Sequence, residues 1–124
     1  MLMTTADILI GARRMVQFEN FWCQNAQART YNGEPCGLTD SVVHSRCASA
    51  ALWTVATEGA RSVNDAVYSD MYISASSFLH KAIEDHTGRY CSVVNFNDDP
   101  RTTHEDVLAV FDLAIARARR VAER

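Results

Sequence analysis

Apolar positions along this chain fall mostly at helical spacing. After Thr4-Thr5-Ala6-Asp7, residues Ile8, Leu9, Ala12, Met15 and Val16 recur every three to four positions, predicting a helix over about 4–17. Thr4 can accept from the amide of Asp7 while Asp7 reaches back, the reciprocal pattern of a capping box. Residues 18–38 change character: Phe18, Phe21, Trp22, Gln24, Gln27 and Tyr31 alternate aromatic with polar groups, and Asn32-Gly33, Pro35 and Gly37 oppose a regular helix. We expect a short extended segment near 21–30, then a turn and a loop. Thr39-Asp40-Ser41 offers three N-cap residue types, and a helix is expected over roughly 41–58, with small residues Ala48-Ser49-Ala50-Ala51 at its centre and Gly59 as its C-cap.

Ser62 can cap a further helix through Val63, Ala66 and Val67, with a break expected between Tyr68 and Tyr72. Ser74 to Ile83 reads as helical again, closed by Asp85-His86-Thr87-Gly88. Tyr90-Cys91-Ser92-Val93-Val94-Asn95-Phe96 is rich in β-branched and aromatic residues and reads as a strand. In the last helix Thr102 or Thr103 caps, Glu105 and Asp106 complement the dipole, and Val107, Val110, Phe111, Ala114, Ile115, Ala118 and Val121 share one face. A lone strand needs a partner, either the 21–30 segment or another chain. The expected fold is α+β and mainly helical: four to five helices packed on a small two-stranded sheet, in a single domain over residues 1–124.

Composition narrows the functional classes. Hydrophobic residues make up 48% and charged ones 22%, which fits a globular core and argues against disorder. Twelve Lys and Arg against fifteen Asp and Glu give a formal charge of -3, so nucleic acid is an improbable partner. No apolar run approaches the ~20 residues that span a bilayer, and no basic leader precedes an apolar stretch. A cytoplasmic chain with no membrane association is expected. Cys23, Cys36, Cys47 and Cys91 contain no close pair of the kind zinc sites use, so reduced thiols are expected and neither metal nor cofactor is.

Three landmarks stand in order: Phe21-Trp22-Cys23-Gln24-Asn25-Ala26-Gln27-Ala28-Arg29 with Gly33-Glu34-Pro35; Arg46-Cys47-Ala48-Ser49-Ala50-Ala51-Leu52; and Phe96-Asn97-Asp98-Asp99-Pro100-Arg101-Thr102 leading into Val107-Leu108-Ala109. Together they resemble a family of small actinobacterial and actinophage proteins of unknown function. Its members show Trp-x-Gln ending in Ala-Arg, a Cys-x-x-Gly-Ala-Leu helix, and a Trp-Asn-Asp turn before Arg-Thr. This chain departs from that pattern at Ala50, which stands for the family's Gly, and at Phe96, which stands for its Trp. The resemblance implies an architecture and no activity.

Three constellations are candidates for function. Cys47, near a helix N-terminus that can lower a thiol pKa, is a candidate nucleophile if His86 or His104 serves as its base. Its small neighbours Ala48, Ala50 and Ala51 suit a buried core thiol equally well. Asn97 and Asp98 can contact a ligand or partner, or can serve the local turn before Pro100. Trp22, Gln24 and Arg29 can form a protein-binding surface, since Trp and Arg dominate hot spots, or Trp22 can anchor the sheet while Arg29 pairs with Asp98. No complete catalytic constellation emerges. The expected function is a small non-enzymatic interaction or regulatory protein, phage-borne or accessory, that binds and modulates a host protein. A cysteine-dependent hydrolase or transferase and a small-ligand-binding domain are the alternatives. A homodimer through free sheet edges is possible.

Overall fold

The computed structural model describes residues 3–38, 40–59 and 65–122. Helix α1 spans Thr5–Met15 and begins with the expected capping box. Thr4 Oγ1 accepts from the Asp7 amide at 3.1 Å, and Asp7 Oδ2 accepts from the Thr4 amide at 3.0 Å. A 3₁₀ turn at Glu19–Phe21 leads into β1 (Ala28–Arg29), β2 (Pro35–Cys36) and β3 (Ser45–Arg46). Helices α2 (Ala48–Gly59), α3 (Asp65–Thr87), α4 (Val93–Asp98) and α5 (His104–Ala122) complete the order.

Helices α1, α2, α3 and α5 pack around one core, in which Ile8, Leu9, Leu52, Leu79, Ile83 and Phe111 are fully buried. Each such side chain contributes about 1.5–3 kcal/mol through burial. A Cβ at Gly11 would lie 3.0 Å from Val55 Cγ1, so the missing side chain lets α1 approach α2 closely. The fold is mainly helical α+β, as expected, but its sheet has three strands in the order β2-β1-β3. All pairing is antiparallel: Ala28 faces Cys36 and Arg46, while Arg29 faces Pro35 and Ser45. Strands of two residues are too short to leave an alternating pattern in the sequence.

Three boundary expectations are corrected. The segment 90–96 is not a strand and does not pair with 21–30. Ser92 Oγ accepts from the Asn95 amide at 3.0 Å and starts α4. Val93, Phe96 and Asn97 are buried while Val94 and Asn95 are exposed, which is a spacing of three and four rather than two. Helix α2 starts at Ala48 rather than near 41, because the backbone before it is taken by the sheet region. The His44 amide donates to the Arg29 carbonyl, the Cys23 amide to that of Arg46, and the Cys47 amide to that of Gln27. The helix expected to break between Tyr68 and Tyr72 runs on as α3 for 23 residues, its later part burying Ala75, Leu79, Ala82 and Ile83. It ends where expected, with Gly88 at φ 73° donating its amide to the Glu84 carbonyl. The caps expected at Thr39 and Ser62 lie outside the described residues. The last helix follows its pattern as far as Ala118, with Thr103 and Asp106 exchanging amide-to-side-chain bonds at 2.9 and 3.1 Å, but Val121, expected on the apolar face, is exposed because the helix end runs past the core.

Candidate functional site

Asn97 is the point at which three segments meet. It is fully buried, and its side chain makes four hydrogen bonds. Oδ1 accepts from Trp22 Nε1 at 2.7 Å and from the Ala48 amide at 3.0 Å. Nδ2 donates to the Cys23 carbonyl at 3.0 Å and to Asp98 Oδ1 at 3.0 Å. An asparagine amide offers two donors and two acceptor sites, so its full capacity is used here. Because Ala48 is the first residue of α2, Asn97 satisfies one of the amides that every helix start leaves open.

Gln24 reinforces the same junction from the loop. Its Nε2 lies 2.9 Å from the Asn97 carbonyl, 3.1 Å from that of Asp99 and 3.5 Å from that of Thr102, gathering carbonyls where α4 ends. Asn25 takes a left-handed φ of 64°, which asparagine tolerates better than most residues, and donates its amide to Asp98 Oδ1 at 2.8 Å. Trp22 and Gln24 therefore turn toward α4, as their alternate positions on an extended segment require. Arg29 does not pair with Asp98. Its guanidinium donates to the Gly33 carbonyl at 2.8 Å and to the Gln24 carbonyl at 3.1 Å, strapping the Asn32-Gly33 turn to the loop.

Cys47 occupies the N-cap of α2 itself. Its carbonyl accepts from the Ala51 amide at 3.0 Å, and its Sγ accepts from the Ala50 amide at 3.4 Å. Burial pushes the thiol pKa above its ordinary value, against the lowering pull of the Ala50 and Ser49 amides, and the Asp98 carboxylate adds to the rise. The helix end thus holds a neutral thiol as a cap. Neither proposed base reaches it. His86 Nε2 lies 3.1 Å from Asp106 Oδ1, and His104 Nε2 lies 2.6 Å from the Val16 carbonyl. Neither ring lines the cleft to which Cys47 belongs. Cys23, Cys36, Cys47 and Cys91 are all free thiols.

That cleft, about 580 Å³, lies over the start of α2. Its floor carries Cys47, Ser49 and Ala50, and its walls carry Trp53, Tyr72, Val94 and Asp98. The Ser49 and Tyr72 hydroxyls share a hydrogen bond at 2.9 Å and join α2 to α3 across it. A second hollow of about 360 Å³ continues past Ser49, Tyr72 and Val94 toward His80 and Tyr90. The sequence singled out Cys47 and Asp98 but missed Ser49, Trp53 and Tyr72. Helical spacing carried the signal for two of these, because Ser49 and Trp53 are four apart on the same helix as Cys47. Tyr72 arrives from α3, and no local pattern announces it. Among the described residues, no group of three or more His, Cys, Asp or Glu is arranged to hold a metal ion. No helix among them is long and apolar enough to cross a membrane.

Comparison with known proteins gives one match. No curated protein and no solved structure matches the chain. The pattern of a family of unknown function (DUF6197) covers residues 1–117 of the 124. That span takes in the Trp22 loop, the Cys47 cap, the Asn97 junction and most of α5, and on it the chain belongs to this family of unknown function.

Proposed function

We propose that the chain is a small non-enzymatic binding protein that modulates a protein partner, and that the cleft over the start of α2 is where the partner engages. One observation carries this reading. The cleft combines half-buried aromatic walls with a few polar groups, the composition that ligand-accepting concavities favour, while the thiol at its floor is a buried helix cap with no imidazole beside it. The other candidate surface, Trp22 with Gln24 and Arg29, spends its polar atoms on internal bonds.

Affinity capture from the source cell tests the reading, using the wild-type chain beside two variants that fill the cleft, Ser49→Trp and Val94→Trp. Val94 is 48% exposed on the rim, so its replacement does not disturb the core. The expected result is a partner retained by wild type and lost by both variants, with Val94→Trp melting as wild type does. A partner retained equally by all three would overturn the proposal.

A further inference from the structure

Asp98 is the one charged residue among those lining the cleft. Its Oδ1 is committed to the Asn25 amide and to Asn97 Nδ2. Its Oδ2 accepts no hydrogen bond among the described residues, and no Lys or Arg lies within salt-bridge distance there. The negative charge is therefore fixed in orientation by two N–H donors and is left uncompensated by any cation among the described residues. The same cleft is lined by Trp53 and Tyr72, and the π faces of such rings attract positive charge. An anion would meet the carboxylate. It would also find the start of α2 occupied, since the Ala48 amide is held by Asn97 and the Ala50 amide by Cys47.

We infer that the cleft takes an organic cation, an arginine or lysine side chain presented by the protein partner, with its charged head on Asp98 and its stem against Trp53 and Tyr72. The inference rests on the binding reading above and adds the chemistry of the occupant. Arginine fits better than lysine, because a planar guanidinium stacks on an aromatic ring while donating to a carboxylate. The volume of about 580 Å³ leaves room for the side chain and part of its backbone.

Titration by NMR tests this with n-butylguanidinium, with butyrate as the anionic counterpart, and with the peptide acetyl-Ala-Arg-Ala-amide. The expected result is that butylguanidinium shifts the Ser49 and Ala50 amides and the Trp53 indole, and that butyrate does not. The peptide should bind at least as tightly as butylguanidinium, and tighter binding of the free guanidinium would overturn a protein-borne occupant. Asp98→Asn keeps the Oδ1 acceptor for both of its donors and removes only the charge, so it should fold and bind the cation at least tenfold more weakly. Trp53→Leu should weaken binding several-fold. Equal affinity of wild type and Asp98→Asn, or shifts with butyrate instead, would overturn the inference. Should Ser49→Trp lose the captured partner while no cation binds wild type, the binding reading stands and this inference falls. Should the cation bind while the partner ignores Ser49→Trp, the reverse holds.

Discussion

The indole Nε1 of Trp22 donates to Oδ1 of Asn97 at 2.7 Å, across 75 residues of sequence. The same oxygen caps α2 through the Ala48 amide, so the position of the Cys47 cleft depends on this asparagine. Asn97→Ala removes four hydrogen bonds and leaves buried partners unpaired, and it should cost about 3–5 kcal/mol. Urea unfolding followed by circular dichroism measures it. A loss under 1 kcal/mol would mean that the junction is dispensable.

Trp22→Phe tests one spoke of that junction. It removes the indole donor while Asn97 Oδ1 keeps the Ala48 amide, so the expected cost is about 1–2 kcal/mol, clearly smaller than for Asn97→Ala. The two substitutions together should be less than additive, because they delete one shared bond. Strict additivity in a double-mutant cycle would contradict the geometry.

The thiols should react in an order set by burial. Cys36 and Cys91 are half-buried, whereas Cys23 and Cys47 are buried, and burial raises both of their pKa values. Iodoacetamide at neutral pH should therefore label Cys36 and Cys91 first and reach Cys23 and Cys47 only slowly, with all four equal after denaturation. Peptide mapping by mass spectrometry reads the order. Labelling of Cys47 ahead of the others would point back to an activated nucleophile.

Cys47 should be replaceable as a cap. Serine keeps an acceptor for the Ala50 amide, so Cys47→Ser should stay within about 1 kcal/mol of wild type, whereas Cys47→Ala loses the acceptor and should cost about 1 kcal/mol more. Thermal melting of the pair decides it. Equal melting temperatures would show that the Sγ contact contributes nothing.

Acid should weaken the start of α5. The Thr103 amide, and then the His86 ring, hold the Asp106 carboxyl below its ordinary pKa of 3.8. A carboxyl depressed on folding contributes stability above its unfolded pKa and loses it as pH falls through the folded value. Asp106→Asn should therefore melt lower than wild type at pH 6, and the gap should narrow as pH falls below about 4. A gap that does not narrow with acid would assign the loss to some other contact.

How much of this was legible in the sequence depends on whether the signal was local. The capping boxes at Thr4–Asp7 and Thr103–Asp106 each lie within one turn, and both helices formed where the sequence places them. Val93-Val94 and Phe96 favour a strand by composition, but the decisive feature was Ser92 capping a six-residue helix with Val93 and Phe96 one turn apart. Thr39-Asp40-Ser41 are good caps by type, yet β3 claimed the backbone that follows and moved the start of α2 to Ala48, with Cys47 as its cap. Asn97 stood out as a polar residue with chemistry to offer. Only the fold shows that Trp22, Cys23 and Ala48 join Asp98 in using it up, because those three partners lie 49 to 75 residues away.

On the proposed reading a partner occupies the cleft and the Cys47 thiol only caps α2. Comparing how much captured partner is retained by Cys47→Ser and by Ser49→Trp, each against wild type, separates the two roles. Near wild-type retention by Cys47→Ser and none by Ser49→Trp is expected. Loss with Cys47→Ser and full retention with Ser49→Trp would contradict it.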